Sequence, residues 1–307
     1  MNKIYDALAE VNKVIKGKDD VVVRVMSAIL AGGHVLMEDI PGVGKTTLST
    51  TFAKTLSMDY KRVQFTPDVL PSDILGFSMY NSNTREFEFK EGPIFCNFFL
   101  ADEINRTSPK TQSALLEVME EGSVTIDGVT RKVDDNFVVI ATQNPSGSAG
   151  TNMLPESQLD RFLVCLTMGY PSHSDTVEIL KNNGGFTKPD IKPVISLEEL
   201  KAMKIESSNL FVHDSIFEYI TELGETTRKH PLFSRGVSPR GIIALLRMSK
   251  AYAYIDGSEF VRAQDVQNVL ADVFCHRIKI SPKARTEGLD TKAVIGELLG
   301  AVTPPRQ

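Results

Sequence analysis

At 307 residues, 42% hydrophobic and 24% charged, the chain is long enough for one large domain or two, each with a proper core. Its net charge of −5, with acids and bases interspersed, argues against a dedicated nucleic-acid binder, whose phosphate contacts need a basic patch. Three scattered cysteines (Cys96, Cys165, Cys275), and the lack of an 18-residue apolar run or a signal-peptide core, speak against a disulfide scaffold, a zinc site and a membrane span, and predict a cytoplasmic protein.

Ile4, Leu8, Val11, Val14 and Ile15 recur at helical spacing, which predicts an amphipathic helix over residues 1–16, followed by a second over 21–30. Gly32 and Gly33 end that helix, and the apolar "HVLME" (34–38) reads as a strand. A glycine-rich loop, a helix over 45–57 and the strand "KRVQF" (61–65) complete a βαβ pattern and predict a parallel sheet. "CNFFLA" (96–101) and "NFVVIAT" (136–142) read as further buried parallel strands. Between them Ser108 caps a helix that Pro109 opens, and "VTIDGVTRKV" (124–133) predicts a hairpin turning at Asp127 and Gly128. "RFLVCLTM" (161–168) is the last expected strand. Beyond Pro171 the pattern changes. A linker is expected at 182–190, a capping box at Ser196 and Glu199, and then helices only, over 214–229, 240–255, 263–277 and 290–300. The expected fold is an α/β core over 1–180 followed by an α-helical domain over 181–307.

The loop "MEDIPGVGKTTLS" (37–49) nearly matches the phosphate-loop pattern G-x-x-x-x-G-K-[ST], with Asp39 where the first glycine should stand. Gly42 and Gly44 let backbone N–H groups approach a phosphate, and a helix N-terminus favours the anion. In the stretch Gly42, Val43, Gly44, Lys45, Thr46 and Thr47, Lys45 would neutralise the β- and γ-phosphates and the Thr46 hydroxyl would bind Mg²⁺. The first glycine only turns the chain off the strand, and Asp tolerates unusual backbone angles, so the substitution is survivable.

Such a loop needs an acid at the end of a neighbouring buried strand. "CNFFLADE" supplies Asp102, to hold Mg²⁺ through its water, and Glu103, to polarise the attacking water. Together the two motifs predict that the loop binds a nucleotide. Asn144 ends the strand "VVIATQNP", where it could hold the water or γ-phosphate, with Pro145 stopping the strand; an ordinary Asn-Pro turn is the alternative. Arg240 lies in the first turn of a helix, where its charge opposes the macrodipole and a bound phosphate would offset the cost. Arg161 either acts in trans on a neighbouring subunit or forms a surface pair with Asp160.

With these motifs assembled, the chain resembles MoxR-family AAA+ ATPases over roughly residues 12–280. The resemblance rests on "HVLMEDIPGVGKT", "RVQFTPDVLPSDILG", "FKEGPIFCNFFLADEINRTSPKTQSALLEVMEE", "ATQNP", "LPESQLDRF" and "GVSPRGI". It implies Walker A at 42–46, Walker B at Asp102 and Glu103, sensor 1 at Asn144, the arginine finger at Arg161 and sensor 2 at Arg240. It also implies a hexameric ring with Mg·ATP between subunits, a von Willebrand factor A-type partner protein and chaperone-like work on a protein substrate. Lys18 stands where relatives more often carry glutamine. The segment 66–92 either contacts the remodelled substrate or covers the sheet as a structural hairpin, and Asn105 and Arg106 face a subunit interface or form a capping loop. Arg240 is expected to reach its own chain's nucleotide and Arg161 a neighbour's.

Two other classes compete. A DNA-directed motor is opposed by the net negative charge, the lack of a helix-turn-helix and the lack of a "GAFTGA"-like loop. A binding switch without turnover is opposed by intact Lys45, Glu103 and Arg161, and no N-K-x-D motif suggests GTP.

Overall fold

The computed structural model describes residues 2–144, 154–183 and 190–305. Pro145 and residues 184–189 of the expected linker lie outside them.

The chain opens with helices α1 (Asn2–Asn12) and α2 (Asp19–Leu30), then strand β1 (Val35–Glu38), α3 (Lys45–Thr55) and β2 (Tyr60–Gln64). Helix α1 is shorter than its apolar periodicity, because Val14 and Ile15 close on Val11 in a final turn before Gly17, at φ 66°. The segment 66–92 folds as a short helix α4 (Pro71–Leu75) and an antiparallel hairpin of β3 (Gly76–Asn81) and β4 (Glu86–Glu91). Next come β5 (Phe98–Asp102), α5 (Pro109–Glu121), the hairpin β6 (Ser123–Ile126) and β7 (Val129–Lys132), β8 (Val138–Gln143), α6 (Glu156–Leu159), β9 (Val164–Leu166) and α7 (His173–Asn183). The β6–β7 turn has φ 52° at Asp127 and 75° at Gly128, the positive pair that a tight hairpin requires.

Five strands pair in parallel in the order β2-β5-β8-β1-β9. The inner strands are buried along almost their whole length, and apolar up to their C-terminal ends, because both faces are covered. Phe98, Leu100, Val138, Ile140, Val35 and Met37 face one apolar cluster; their neighbours Phe99, Ala101, Val139, Ala141 and Leu36 face another. The second cluster holds α5 and the base of the 66–92 segment. The first holds α1 to α3 and continues without a break into the C-terminal helices.

Those helices are α8 (Leu197–Ser208), α9 (Asp214–Lys229), α10 (Pro239–Ile255), α11 (Ala263–Phe274), α12 (Pro282–Thr286) and α13 (Thr291–Ala301). The capping box forms as expected, with Ser196 accepting from the Glu199 N–H at 3.3 Å and Glu199 from the Ser196 N–H at 3.1 Å. One addition to the expected helices is a short antiparallel ribbon of β10 (Phe233–Arg235) and β11 (Lys279–Ile280), too short to leave a periodicity. Helix α10 packs across α2, α8, α9 and α11 and so ties the C-terminal helices to the core. Among the described residues no helix is long and apolar enough to cross a membrane.

Candidate functional site

The expected phosphate loop runs from the C-terminal end of β1 into α3. Gly42 and Gly44 sit at φ 85° and 99°, and a side chain at Gly42 would meet nothing within 4 Å, so the loop is open above its backbone. Gly44 caps α3 without a side-chain bond, and the first-turn N–H groups of Lys45, Thr46 and Thr47 have no carbonyl one turn back to bond. Those donors, the helix dipole and a lysine together suit a polyphosphate. Lys45 is buried, with Nζ donating to the Asp39 carbonyl at 2.8 Å. Burial holds its pKa below the usual lysine value, against the opposing pull of the Asp39, Asp102 and Glu103 carboxylates.

Asp39 does not sit where it does because it tolerates an unusual turn. It is not among the positive-φ residues, so this position has no need of glycine. Its buried carboxylate accepts from the N–H groups of Met168 at 2.6 Å and Gly169 at 2.8 Å, and from Ile40 at 2.9 Å. Asp39 thereby ties the loop to the chain leaving β9. Asp39→Gly, which restores the expected pattern, should therefore destabilise the fold by about 3 kcal/mol, since bonds to a buried charge are the strong ones. Urea unfolding checks this, and an unchanged midpoint would refute it. Lys18 lies nearby, donating to the Tyr170 carbonyl at 2.8 Å.

The acids stand at the C-terminal end of β5, which is next but one to β1 across β8, with Asp102 its last residue and Glu103 just beyond. Asp102 Oδ1 accepts from the Thr142 hydroxyl at 2.6 Å, and Oδ2 from Arg62 at 2.7 Å. Glu103 takes a left-handed backbone, φ 57° and ψ 48°, fixed by its N–H donating to Thr142 Oγ1 at 2.9 Å. Its carboxylate accepts from Gln64 at 2.9 Å, Arg106 at 2.7 Å and Asn144 at 3.1 Å. Three parallel strands end at one edge, so Lys45, Asp102, Glu103 and Asn144 come together. The residues present fit Mg²⁺ with a polyphosphate: Thr46 and Asp102 offer hard oxygens, and the loop offers donors. Asn105 does not face outward. It is fully buried and donates to the Asn144 carbonyl at 3.4 Å.

Sequence reasoning missed Arg62, Gln64 and Thr142. Arg62 and Gln64 are two apart on the edge strand β2 and so share a face, and their polar character in a strand was the available signal.

The two arginines lie elsewhere. Arg161 is 29% exposed and does not pair with Asp160; its Nε meets Glu120 Oε2 at 3.0 Å. Arg240, 49% exposed, bonds the other oxygen of the same Glu120 carboxylate. That carboxylate, at the C-terminal end of α5, offsets the charge Arg240 places in the first turn of α10. The cleft around them, about 360 Å³, is lined by Gly32, Gly33 and His34, which precede β1. The loop follows β1, so arginines and loop lie at opposite ends of that strand, whose four residues span roughly 13 Å at about 3.3 Å per residue. Arg240, expected to reach its own chain's loop, lies instead beside Arg161 on Glu120. Glu120 was also missed; the signal was a run of acids closing a helix.

Residues 34–164 match the family model described as "ATPase family associated with various cellular activities (AAA)", and residues 225–298 match "AAA lid domain". The chain is 48% identical over 302 residues to the uncharacterised protein YeaC of Bacillus subtilis, covering 98% of this chain and 94% of that protein. It is 38% identical over 309 residues to Chaperone MoxR1 of Mycobacterium tuberculosis, covering 98% and 82%. A crystal structure from Cytophaga hutchinsonii, provisionally assigned as an ATPase, superposes with a TM-score of 0.92 at 36% identity, covering 99% of this chain and 96% of that one.

Proposed function

Because this chain belongs to the MoxR family of AAA+ ATPases, we propose that it hydrolyses Mg·ATP at sites shared between neighbouring subunits of a closed ring, and uses the energy to remodel or mature a partner protein. Residues 1–180 form the nucleotide-binding body in this reading and 181–307 the lid. The observation that carries it is the separation of the site residues into two sets. Lys45, Asp102, Glu103 and Asn144 gather at the C-terminal edge of the sheet, and Arg161 and Arg240 gather at the N-terminal end of β1. In this reading the two sets meet at one nucleotide when a head-to-tail neighbour supplies the second, and such an interface closes into a ring when its rotation allows.

Lys45 and the first-turn N–H groups of α3 bind and orient the phosphates. Bound Mg²⁺ supplies charge neutralisation at the β- and γ-phosphates. Glu103 accepts the proton of the attacking water, and Asn144 holds that carboxylate in place. The arginine pair of the neighbour excludes water and meets developing charge with a preformed positive field.

The ring is a hexamer in this reading, cytoplasmic, working with a von Willebrand factor A-type partner on a protein substrate. The β3–β4 hairpin supports a contact with that substrate: its base is fixed by Phe89, packed on Phe95 and under Arg131 at 3.8 Å, while Phe87 at the tip is 75% exposed.

Light scattering in Mg·ATP tests the assembly, with Glu103→Gln trapping the bound state. The expected mass is six times 33.9 kDa, and phosphate release should rise with protein concentration as interfaces form. A monomer at high concentration under these conditions overturns the reading.

A further inference from the structure

The lid residue Arg277 is 4% exposed, and while Nη1 also donates to the Val273 carbonyl of α11 at 2.5 Å and lies 2.7 Å from His276 Nε2, its other hydrogen bonds go to one short stretch of the core. Its Nε donates to Asp160 Oδ1 at 2.8 Å, Nη1 to the Leu163 carbonyl at 3.0 Å, and Nη2 to the Phe162 carbonyl at 2.5 Å and the Asp160 carbonyl at 3.2 Å. His276 Nε2 lies 3.1 Å from the same Phe162 carbonyl. These carbonyls flank Arg161 on both sides. They belong to the link between α6 and β9, which has little ladder of its own to hold it. The second oxygen of Asp160 accepts from the hydroxyl of Ser238 at 2.9 Å, and Ser238 is the N-cap of α10, two residues before Arg240. A guanidinium donates through a rigid planar fork, so it fixes the direction as well as the position of what it binds.

We propose that Arg277 and Asp160 are positioning residues that set Arg161 and Arg240 as one unit, so that the lid controls how both arginines are presented to the neighbouring subunit's nucleotide. The inference rests on the shared-site reading above and adds the residues that hold the pair. It also explains why an arginine is buried here. A salt bridge in the interior carries a desolvation cost that packing alone would not, and this one aims two other side chains.

The test separates positioning from folding. Asp160→Asn keeps the shape and one acceptor oxygen but removes the charge shared by Arg277 and Ser238; Arg277→Lys keeps the charge and removes the fork. Each should still assemble with Mg·ATP and keep its KM, because its own loop is untouched, while kcat falls on the order of 10- to 100-fold from a small misplacement. Mixed one to one with Lys45→Ala subunits, each should regain turnover to the level that an Arg161→Ala and Lys45→Ala mixture reaches, since the Lys45→Ala partner brings correctly held arginines. Failure of both variants to assemble, normal turnover in both, or no recovery while the Arg161→Ala mixture recovers overturns this inference alone. If the Arg161→Ala mixture also stays inactive, the shared-site reading falls and this inference with it.

Discussion

Glu103→Gln should bind Mg·ATP with near-normal affinity and release phosphate about 10²- to 10⁴-fold more slowly, the usual worth of a positioned general base. The backbone of Glu103 is fixed by Thr142, not by its own carboxylate, so the amide should stay in place. A glutamine can still accept a hydrogen bond from Gln64 or Asn144, but it cannot take a proton from water. Lys45→Ala should fail at the earlier step. It removes a buried cation and strips the Asp39 carbonyl of its donor. Truncating one partner of such a charge contact costs roughly 2–5 kcal/mol, equivalent to roughly 30- to 4,000-fold in affinity. Calorimetric titration of ATP and a phosphate-release assay on both variants separate the two failures. Normal phosphate release by Glu103→Gln would remove Glu103 from the chemistry, and normal binding by Lys45→Ala would remove the loop.

The legible part of this site was local. A strand, a glycine loop, a lysine and a helix are contiguous, and so are a buried strand and its terminal Asp102 and Glu103, so spacing alone places each group. The fold class was legible for the same reason: βαβ units and helical periodicity are written in short stretches. What sequence could not show is pairing across the chain. Asp39 looked like a defect in a motif because Met168 and Gly169, its partners, come more than a hundred residues later. Asp160 looked like the neighbour of Arg161 on the surface, yet it serves Arg277, and Arg161 turns to Glu120. Arg240 was correctly placed in the first turn of its helix, but a helix start does not say which end of the sheet it faces. That depends on how α10 lies on α2, and this packing is fixed by the whole apolar cluster.

Mixing subunits decides which chain's nucleotide the two arginines serve. Alone, Arg161→Ala, Arg240→Ala and Lys45→Ala rings should each be nearly inactive; loss of an arginine at the γ-phosphate in related chemistry costs about 10³- to 10⁵-fold. In a one-to-one ring of Arg161→Ala and Lys45→Ala subunits, an intact loop from the first meets an intact arginine from the second at about a quarter of the interfaces if assembly is random. The sequence alone suggested that Arg240 belongs to its own chain's site, in which case its mixture with Lys45→Ala would recover nothing, since every site would carry a defect. The shared contact of both arginines with Glu120, at the far end of β1 from the loop, predicts the opposite: the Arg240→Ala mixture should recover as much as the Arg161→Ala mixture. Recovery with Arg161→Ala but none with Arg240→Ala would return Arg240 to its own chain and require the lid to swing across the sheet. Recovery in neither would mean that no arginine of this pair crosses the interface.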